Sequence, residues 1–126
     1  MTENELSKAI IGAAIEVHRE LGGPGLLEDV YEECLCEEMS LRGLKVGRQM
    51  DVPLVYKGKK LAKPLKLDVL VGEKVIVEAK AAKENNPIFE AQLLTYLRLT
   101  GLKLGLVINF GLGKVADGIR RVVNGL

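Results

Sequence analysis

The sequence predicts an α/β fold with a central mixed sheet of about four strands flanked by helices, and three observations indicate it. Apolar residues recur at three- and four-residue spacing in two segments at the start of the chain. The period then changes to two over residues 46–80, which is typical of strands. A third helical segment is followed by an apolar run over residues 104–110, which suits a strand buried on both faces.

The helical segments carry their own start signals. Thr2-x-x-Glu5 has the form of a capping box, so the first helix is expected to begin there. The second helix is expected over residues 26–42, where the apolar positions share one face. Asn86 is a suitable N-cap for the third helix, because Pro87 then occupies the first helical position.

Three strands are predicted between the second and third helices. The first follows the alternation from Val46 to Tyr56, and the others cover residues 65–71 and 75–80. A last short helix is predicted over residues 117–123. The order is therefore helix, helix, three strands, helix, strand and terminal helix.

Length and composition favour one domain over residues 1–126, since the chain has 126 residues of which 48% are hydrophobic and 28% charged. An acidic N-terminus and the lack of a long apolar run indicate a cytoplasmic protein without a membrane span. Cys34 and Cys36 are expected to be reduced packing residues. The net charge of +1 argues against nucleic-acid binding through bulk charge alone, so any such binding must be local.

The chemistry-bearing residues lie on the last two predicted strands of the meander. Glu78 and Lys80 are two apart and project from the same face of a strand. The position of Asp68 depends on the connection between the strands. If Val71 pairs with Val75, Asp68 lies opposite Glu78, whereas a two-residue turn puts it on the other face.

Two strand carboxylates at one point form a hard oxygen site that suits Mg²⁺ or Mn²⁺. Such an ion can activate water and neutralise charge on a phosphodiester, while Lys80 positions the water or stabilises the transition state. The pattern of Asp68, Glu78 and Lys80 therefore indicates phosphodiester hydrolysis. The alternative is that Glu78 and Lys80 form an ion pair on a half-exposed strand and Asp68 is a solvated end residue.

Three further features have both a functional and a structural interpretation. Gln92 and Tyr96 lie on one face of the third helix, where they could hold a backbone phosphate or simply pack at the edge of the core. Glu28 and Glu38 on the second helix are alternative candidates for an acid of the site. The helix dipole favours a carboxylate near the N-terminus, which is a sufficient structural reason for Glu28. Five lysines over residues 57–66 could face phosphates or protect an edge strand. The single histidine, His18, is expected to be a packing residue.

Together, the motifs of this sequence resemble those of a known family. Gly25-x-x-Glu28-x-x-Tyr31 resembles the signature of the GxxExxY proteins, small members of the PD-(D/E)XK nuclease superfamily. The resemblance extends over nearly the whole chain, through residues 13–18, the Asp68 strand, Glu78-Ala79-Lys80, residues 90–96 and residues 108–110. The spacing of Gln92 and Tyr96 is also similar to the motif of RecB-like nucleases.

The resemblance implies a PD-(D/E)XK core and the roles of its residues. The implied metal-binding positions are Asp68, Glu78 and Ala79, the implied catalytic residues are Asp68, Glu78, Lys80 and Glu28, and the implied nucleic-acid-binding residues are Gln92 and Tyr96. We therefore predict a Mg²⁺- or Mn²⁺-dependent nuclease that acts on DNA. A homodimer is expected, because so small a domain offers little binding surface. The alternative is a non-catalytic module that keeps the fold and binds nucleic acid or protein.

Overall fold

The computed structural model describes all 126 residues and confirms the α/β class. Its helices are α1 (Glu3–Glu20), α2 (Glu28–Leu41) and α3 (Pro87–Thr100). Its strands are β1 (Val46–Val52), β2 (Val55–Tyr56), β3 (Lys59–Lys60), β4 (Leu65–Val71), β5 (Val75–Lys80), β6 (Leu104–Asn109) and β7 (Ile119–Val123). A 3-10 helix, Val115–Gly118, precedes the last strand.

Five of the strands form one mixed sheet in the order β1-β4-β5-β6-β7, and β2 and β3 form a separate small hairpin. The only parallel pair is β5 and β6, which are connected through α3. The other neighbours in the sheet are antiparallel. This arrangement confirms the predicted order of the first two helices, the meander, the third helix and the strand that follows it.

Two predicted elements differ in the structure. The terminal helix expected over residues 117–123 is wrong, because this segment forms β7 and pairs with β6 from Ile108–Ile119 to Leu104–Val123. Pairing satisfies the backbone groups along the free edge of β6, which a short helix would leave open. The strand predicted from Val46 to Tyr56 is interrupted after Val52, where Pro53 lacks the N–H needed to continue a ladder.

The helix start signals act as predicted. The Glu5 amide donates to Thr2 Oγ1 at 3.1 Å, and the Thr2 amide donates to Glu5 Oε1 at 2.9 Å, which completes the capping box. At the start of α3, Asn86 Oδ1 accepts a hydrogen bond from the Ile88 amide at 3.0 Å. These caps set where the two helices begin.

The core has one layer on each face of the sheet. α1 and α2 pack on one face, where Tyr31, Phe110 and Leu35 are among the fully buried side chains. α3 packs on the other face through Leu93 and Leu97. Cys34 and Cys36 are free thiols, as expected. None of the helices combines the length and apolar character that crossing a membrane requires.

The contact between α3 and the sheet depends on a glycine in β6. A Cβ atom at Gly105 would lie 2.7 Å from Leu93 Cδ2, so Leu93 fills the space above the strand. We expect Gly105→Ala to lower the free energy of unfolding by about 1–3 kcal/mol through overpacking, and Leu93→Ala to lower it by about 2–5 kcal/mol through a cavity.

Because the two sites share this space, the double variant should lose less stability than the sum of the single variants in urea unfolding. Strictly additive losses would show that Gly105 and Leu93 are not in contact.

Candidate functional site

The connection between β4 and β5 sets the position of the candidate site. Val71 pairs with Val75, and Val69 pairs with Val77, which confirms the register that puts Asp68 opposite Glu78. The three-residue connection contains Gly72 at φ 59° and Glu73 at φ 60°. Glu78 therefore projects from the same face as Ile76, which packs against α3, and the register brings Asp68 opposite it.

The two strands part at this pair. The ladder between β4 and β5 ends at Val69–Val77. Beyond it, β4 stays paired with β1 as far as Leu65–Val52, whereas β5 stays paired with β6 as far as Lys80–Asn109. Asp68 and Glu78 consequently lie where the sheet opens into a cleft.

Glu78 is buried in this cleft, with only 6% of its surface exposed. Its Oε1 atom is buried and has no hydrogen-bond partner. Desolvation by burial raises the pKa of Glu78 to about 9, with further increases from the hydrogen-bonding contact and the charge of Asp68, while the Lys80 charge acts in the opposite direction. A buried, unpartnered carboxyl oxygen is costly unless a cation or a proton accompanies it.

Lys80 shares the strand face of Glu78 but is not held in an ion pair. Its Nζ atom lies 5.0 Å from the centroid of the Phe89 ring, which is a cation–π contact. None of the salt bridges in the structure involves Lys80. The alternative interpretation, an ion pair of Glu78 and Lys80 on a half-exposed strand, does not describe this arrangement.

Glu28 approaches the same site from the other layer, as the first residue of α2. Its side chain is exposed at the surface, yet nearby protein atoms desolvate its carboxyl and raise its pKa, an effect that the Asp68 charge reinforces and the Lys80 charge opposes. The α2 start is anchored by Tyr31, whose hydroxyl donates to the Gly23 carbonyl at 2.7 Å. Tyr31 also stacks on Phe110 with a centroid separation of 4.8 Å.

The two predicted residues of α3 differ in their surroundings. Tyr96 is half-buried, and desolvation raises its pKa together with the charges of Glu78 and Asp68. Gln92 is exposed one turn away and makes no side-chain hydrogen bond. Tyr96 therefore belongs to the rim of the site, while Gln92 extends that rim into solvent.

Two other candidates lie outside the site. Glu38 accepts a hydrogen bond from Nε of Arg42, the residue that follows α2, at 2.8 Å. His18 is buried, and its Nε2 atom lies 3.2 Å from the Phe110 carbonyl oxygen and 3.1 Å from that of Leu112. Both contacts are structural, which agrees with the expectation for His18.

Sequence reasoning missed the residue that fixes the loop after Lys80. Asn109 is fully buried and pairs with Lys80 across β5 and β6. Its Oδ1 atom accepts hydrogen bonds from the Ala82 amide at 2.9 Å and from the Gly111 amide at 3.0 Å. Its place at the end of an apolar run was the available signal, because a buried amide there needs such partners.

A second missed feature lies on β1, opposite Asp68. Gln49 has φ 54°, unusual for a residue other than glycine, and lies between the paired positions that flank Asp68. Its Nε2 atom donates to Glu32 Oε1 at 2.8 Å, and Arg48 Nε lies 3.4 Å from the same oxygen. Glu32 is buried one turn after Glu28, so this contact joins β1 to the start of α2.

Comparison of the sequence with known protein families identifies the family to which the chain belongs. The profile of the PD-(D/E)XK nuclease superfamily matches residues 4–122. The chain belongs to the PD-(D/E)XK nuclease superfamily. Searches of curated proteins and of solved structures gave no match.

PD-(D/E)XK nucleases generally use divalent metal ions. No group of three or more His, Cys, Asp or Glu side chains is arranged to hold a metal. Asp68 and Glu78 nevertheless fit an ion of the Mg²⁺ type, which keeps several waters and needs few protein ligands. The unpartnered Oε1 atom of Glu78 is the observation that favours this fit.

The raised pKa of Glu78 predicts a pH dependence of stability in metal-free buffer. The unfolded state loses the Glu78 proton near the ordinary value of 4.5, whereas the folded state keeps it up to about 9. The folded state thus binds more protons in this window, and stability should fall as pH rises through it. Glu78→Gln removes the effect and should be more stable than wild type at alkaline pH by on the order of 2 kcal/mol.

Thermal unfolding of both proteins at several pH values between about 5 and 9, in EDTA, measures this difference. Parallel curves for the two proteins would contradict a raised pKa at Glu78.

The strained backbone at Gln49 gives a matched pair of variants. Gln49→Ala and Gln49→Gly both remove the hydrogen bond to buried Glu32, which should cost about 1–3 kcal/mol. Glycine also relieves the positive φ, so Gln49→Gly should be more stable than Gln49→Ala by about 1 kcal/mol in urea unfolding. Equal stability would mean that no strain is stored at this position.

Proposed function

We propose that this chain is a Mg²⁺- or Mn²⁺-dependent nuclease that hydrolyses phosphodiester bonds of DNA. The observation that carries the proposal is the Glu78 carboxyl, buried beside Asp68 with an oxygen that has no partner, at the point where β4 and β5 part. A site that holds two acids together without a cation is electrostatically unfavourable, which supports cation binding as its purpose.

Asp68 and Glu78 are the proposed ligands of the ion, together with Ala79, whose backbone carbonyl is its only oxygen donor. When bound, a divalent ion lowers the pKa of water and neutralises charge that develops on the phosphate. Glu78 must give up its proton to act as a ligand, because only the carboxylate binds strongly. Its raised pKa therefore makes ion binding release a proton near neutral pH.

Lys80 is the proposed catalytic cation. Its ammonium is not engaged by an acid, so it remains able to donate to the attacking water or to a phosphate oxygen. Glu28 is proposed as an auxiliary acid, since its raised pKa suits a group that holds a proton for part of the reaction. Gln92 and Tyr96 are proposed to bind the nucleic-acid backbone from the rim.

The proposed domain extent, localisation, oligomeric state and substrate are inferred from the sequence. Residues 1–126 are proposed to act as one domain in the cytoplasm. A homodimer is proposed because so small a domain has little surface with which to hold a long substrate. DNA is proposed as the substrate within the nucleic acids that the superfamily indicates.

A non-catalytic module that binds nucleic acid or protein is the second candidate. The observation that favours it is the lack of any group of three metal-ligating side chains. Such a module would keep its binding when Asp68 or Glu78 is replaced by alanine, whereas a nuclease would lose its activity.

Two alanine variants test the proposed roles. Asp68→Ala should abolish divalent-metal binding and cleavage, because it removes one of only two ligand carboxylates. Lys80→Ala should keep metal affinity within a few-fold but cleave about 10²–10³ times more slowly, because it removes a preorganised charge. Calorimetric titration with Mn²⁺ and cleavage of plasmid and linear DNA in Mg²⁺, Mn²⁺ or EDTA measure both effects.

Lys8→Ala is the matched control, since Lys8 is an exposed lysine on α1 that lies outside the site. A folded Lys80→Ala protein that cleaves at the rate of the control would show that Lys80 is a structural lysine. Cleavage in the presence of EDTA would contradict the proposed dependence on a divalent metal ion.

A further inference from the structure

The positive charge of the chain is concentrated next to the candidate site. Residues 52–67 contain five lysines and no acidic residue. Because the whole chain has a net charge of only +1, the rest of the chain is net acidic. This lysine segment includes the β2–β3 hairpin and leads directly into β4, the strand that carries Asp68.

The lysines of this segment are available to a partner. All five side chains are exposed: Lys57, Lys59, Lys60, Lys63 and Lys66. Only Lys66 forms an ion pair, with Asp51 at 3.1 Å. Lys57 Nζ lies 5.5 Å from the centroid of the exposed Tyr56 ring. A segment with four lysines that no acid neutralises attracts a polyanion more strongly than the net charge indicates.

A groove of about 660 Å³ lies between this segment and Tyr96 of α3. Tyr96 lines it at one end, and the charges of Glu78 and Asp68 act on the same Tyr96 hydroxyl. Lys63 and Lys66 line it at the base of the hairpin. The groove is therefore lined by Tyr96 and by Leu65 and Lys66, which precede Asp68 on β4.

The walls of the groove are mainly apolar between these ends. Leu54, Leu61, Pro64 and Leu65 contribute to its lining. Leu61 is 40% exposed, so its side chain is accessible to a ligand in the groove. Apolar and aromatic surface beside lysines is the combination that binds unstacked bases and a phosphate backbone together.

We propose that this groove binds a single-stranded stretch of nucleic acid next to the scissile phosphate. The bases pack on Tyr96 and the leucines, and Lys63 and Lys66 contact the phosphates. A duplex covers its base faces by stacking and offers mainly phosphates, so it would leave the apolar lining unused. The inference rests on the proposed function and narrows its substrate to a strand that is unpaired at the cut.

Binding in EDTA tests the groove separately from cleavage. Fluorescence anisotropy measures the affinity for a labelled single strand of about 15 nucleotides, as DNA and as RNA, and for the DNA duplex of the same sequence, at several salt concentrations. The wild type should bind the single strands more tightly than the duplex. The ratio between the DNA and RNA strands then identifies which sugar the groove accepts.

Charge and apolar variants separate the two parts of the groove. Lys63→Ala with Lys66→Ala should weaken single-strand binding about tenfold at low salt and lower the slope of log K against log salt by about 0.7–1.4. The smaller value applies if Asp51 already neutralises Lys66. Leu61→Ser should weaken binding without changing the slope, because it removes apolar surface and no charge. The control is Lys8→Ala with Lys103→Ala, two exposed lysines outside the segment, and it should bind as the wild type does.

Equal affinity for duplex and single strand, or equal weakening in the groove and control variants, would overturn the inference. Its failure can be told apart from failure of the nuclease proposal. Metal-dependent cleavage with no single-strand preference contradicts only the groove, whereas single-strand binding through Lys63 and Lys66 without any cleavage contradicts only the nuclease.

Discussion

The register between β4 and β5 is the constraint on which the rest of the structure depends. Side chains alternate between the two faces of a strand, so a shift of one residue would turn Asp68 away from Glu78 and toward α1 and α2. The three-residue connection prevents this shift, because Gly72 and Glu73 both adopt positive φ and return the chain with Val71 opposite Val75. Gly72 also leaves room for Leu6, whose Cδ1 atom would lie 2.9 Å from a Cβ atom there.

Around this pair the sheet gathers acidic groups that are unfavourable together. The pKa of Glu78, Glu28 and Tyr96 is raised in each case mainly by desolvation, and the charge of Asp68 contributes to all three. The helices bring these groups from opposite layers, α2 presenting Glu28 and α3 presenting Tyr96. The acids gathered where the strands part therefore lower the stability of the fold. Groups that are unfavourable for stability in this way are common at functional sites.

Local sequence patterns predicted the bounds of strands and the start of a helix, because local interactions determine these features. β4 and β5 begin and end where the period-two pattern does, and α1 begins at its capping box, because alternation and capping act over a few residues. The contact of Gln49 with Glu32 and the hydrogen bonds of Asn109 escaped prediction, because their partners are distant in sequence. β7 was mistaken for a helix since pairing with β6, a tertiary interaction, overrides the weak preference of a short segment.

The separation of acids and lysines has a consequence for how ligands bind. A phosphate backbone held by Lys63 at the proposed site would approach Asp68, whose charge repels it unless a cation lies between them. A cation in turn is held better when phosphate oxygens complete the few ligands that two carboxylates provide. Each ligand thus removes an obstacle to the other, and by linkage the gain in affinity is the same in both directions. Under the proposed function, the lysine segment and the carboxylate pair would act as two halves of one site, although neither the net charge nor either motif alone indicates such coupling.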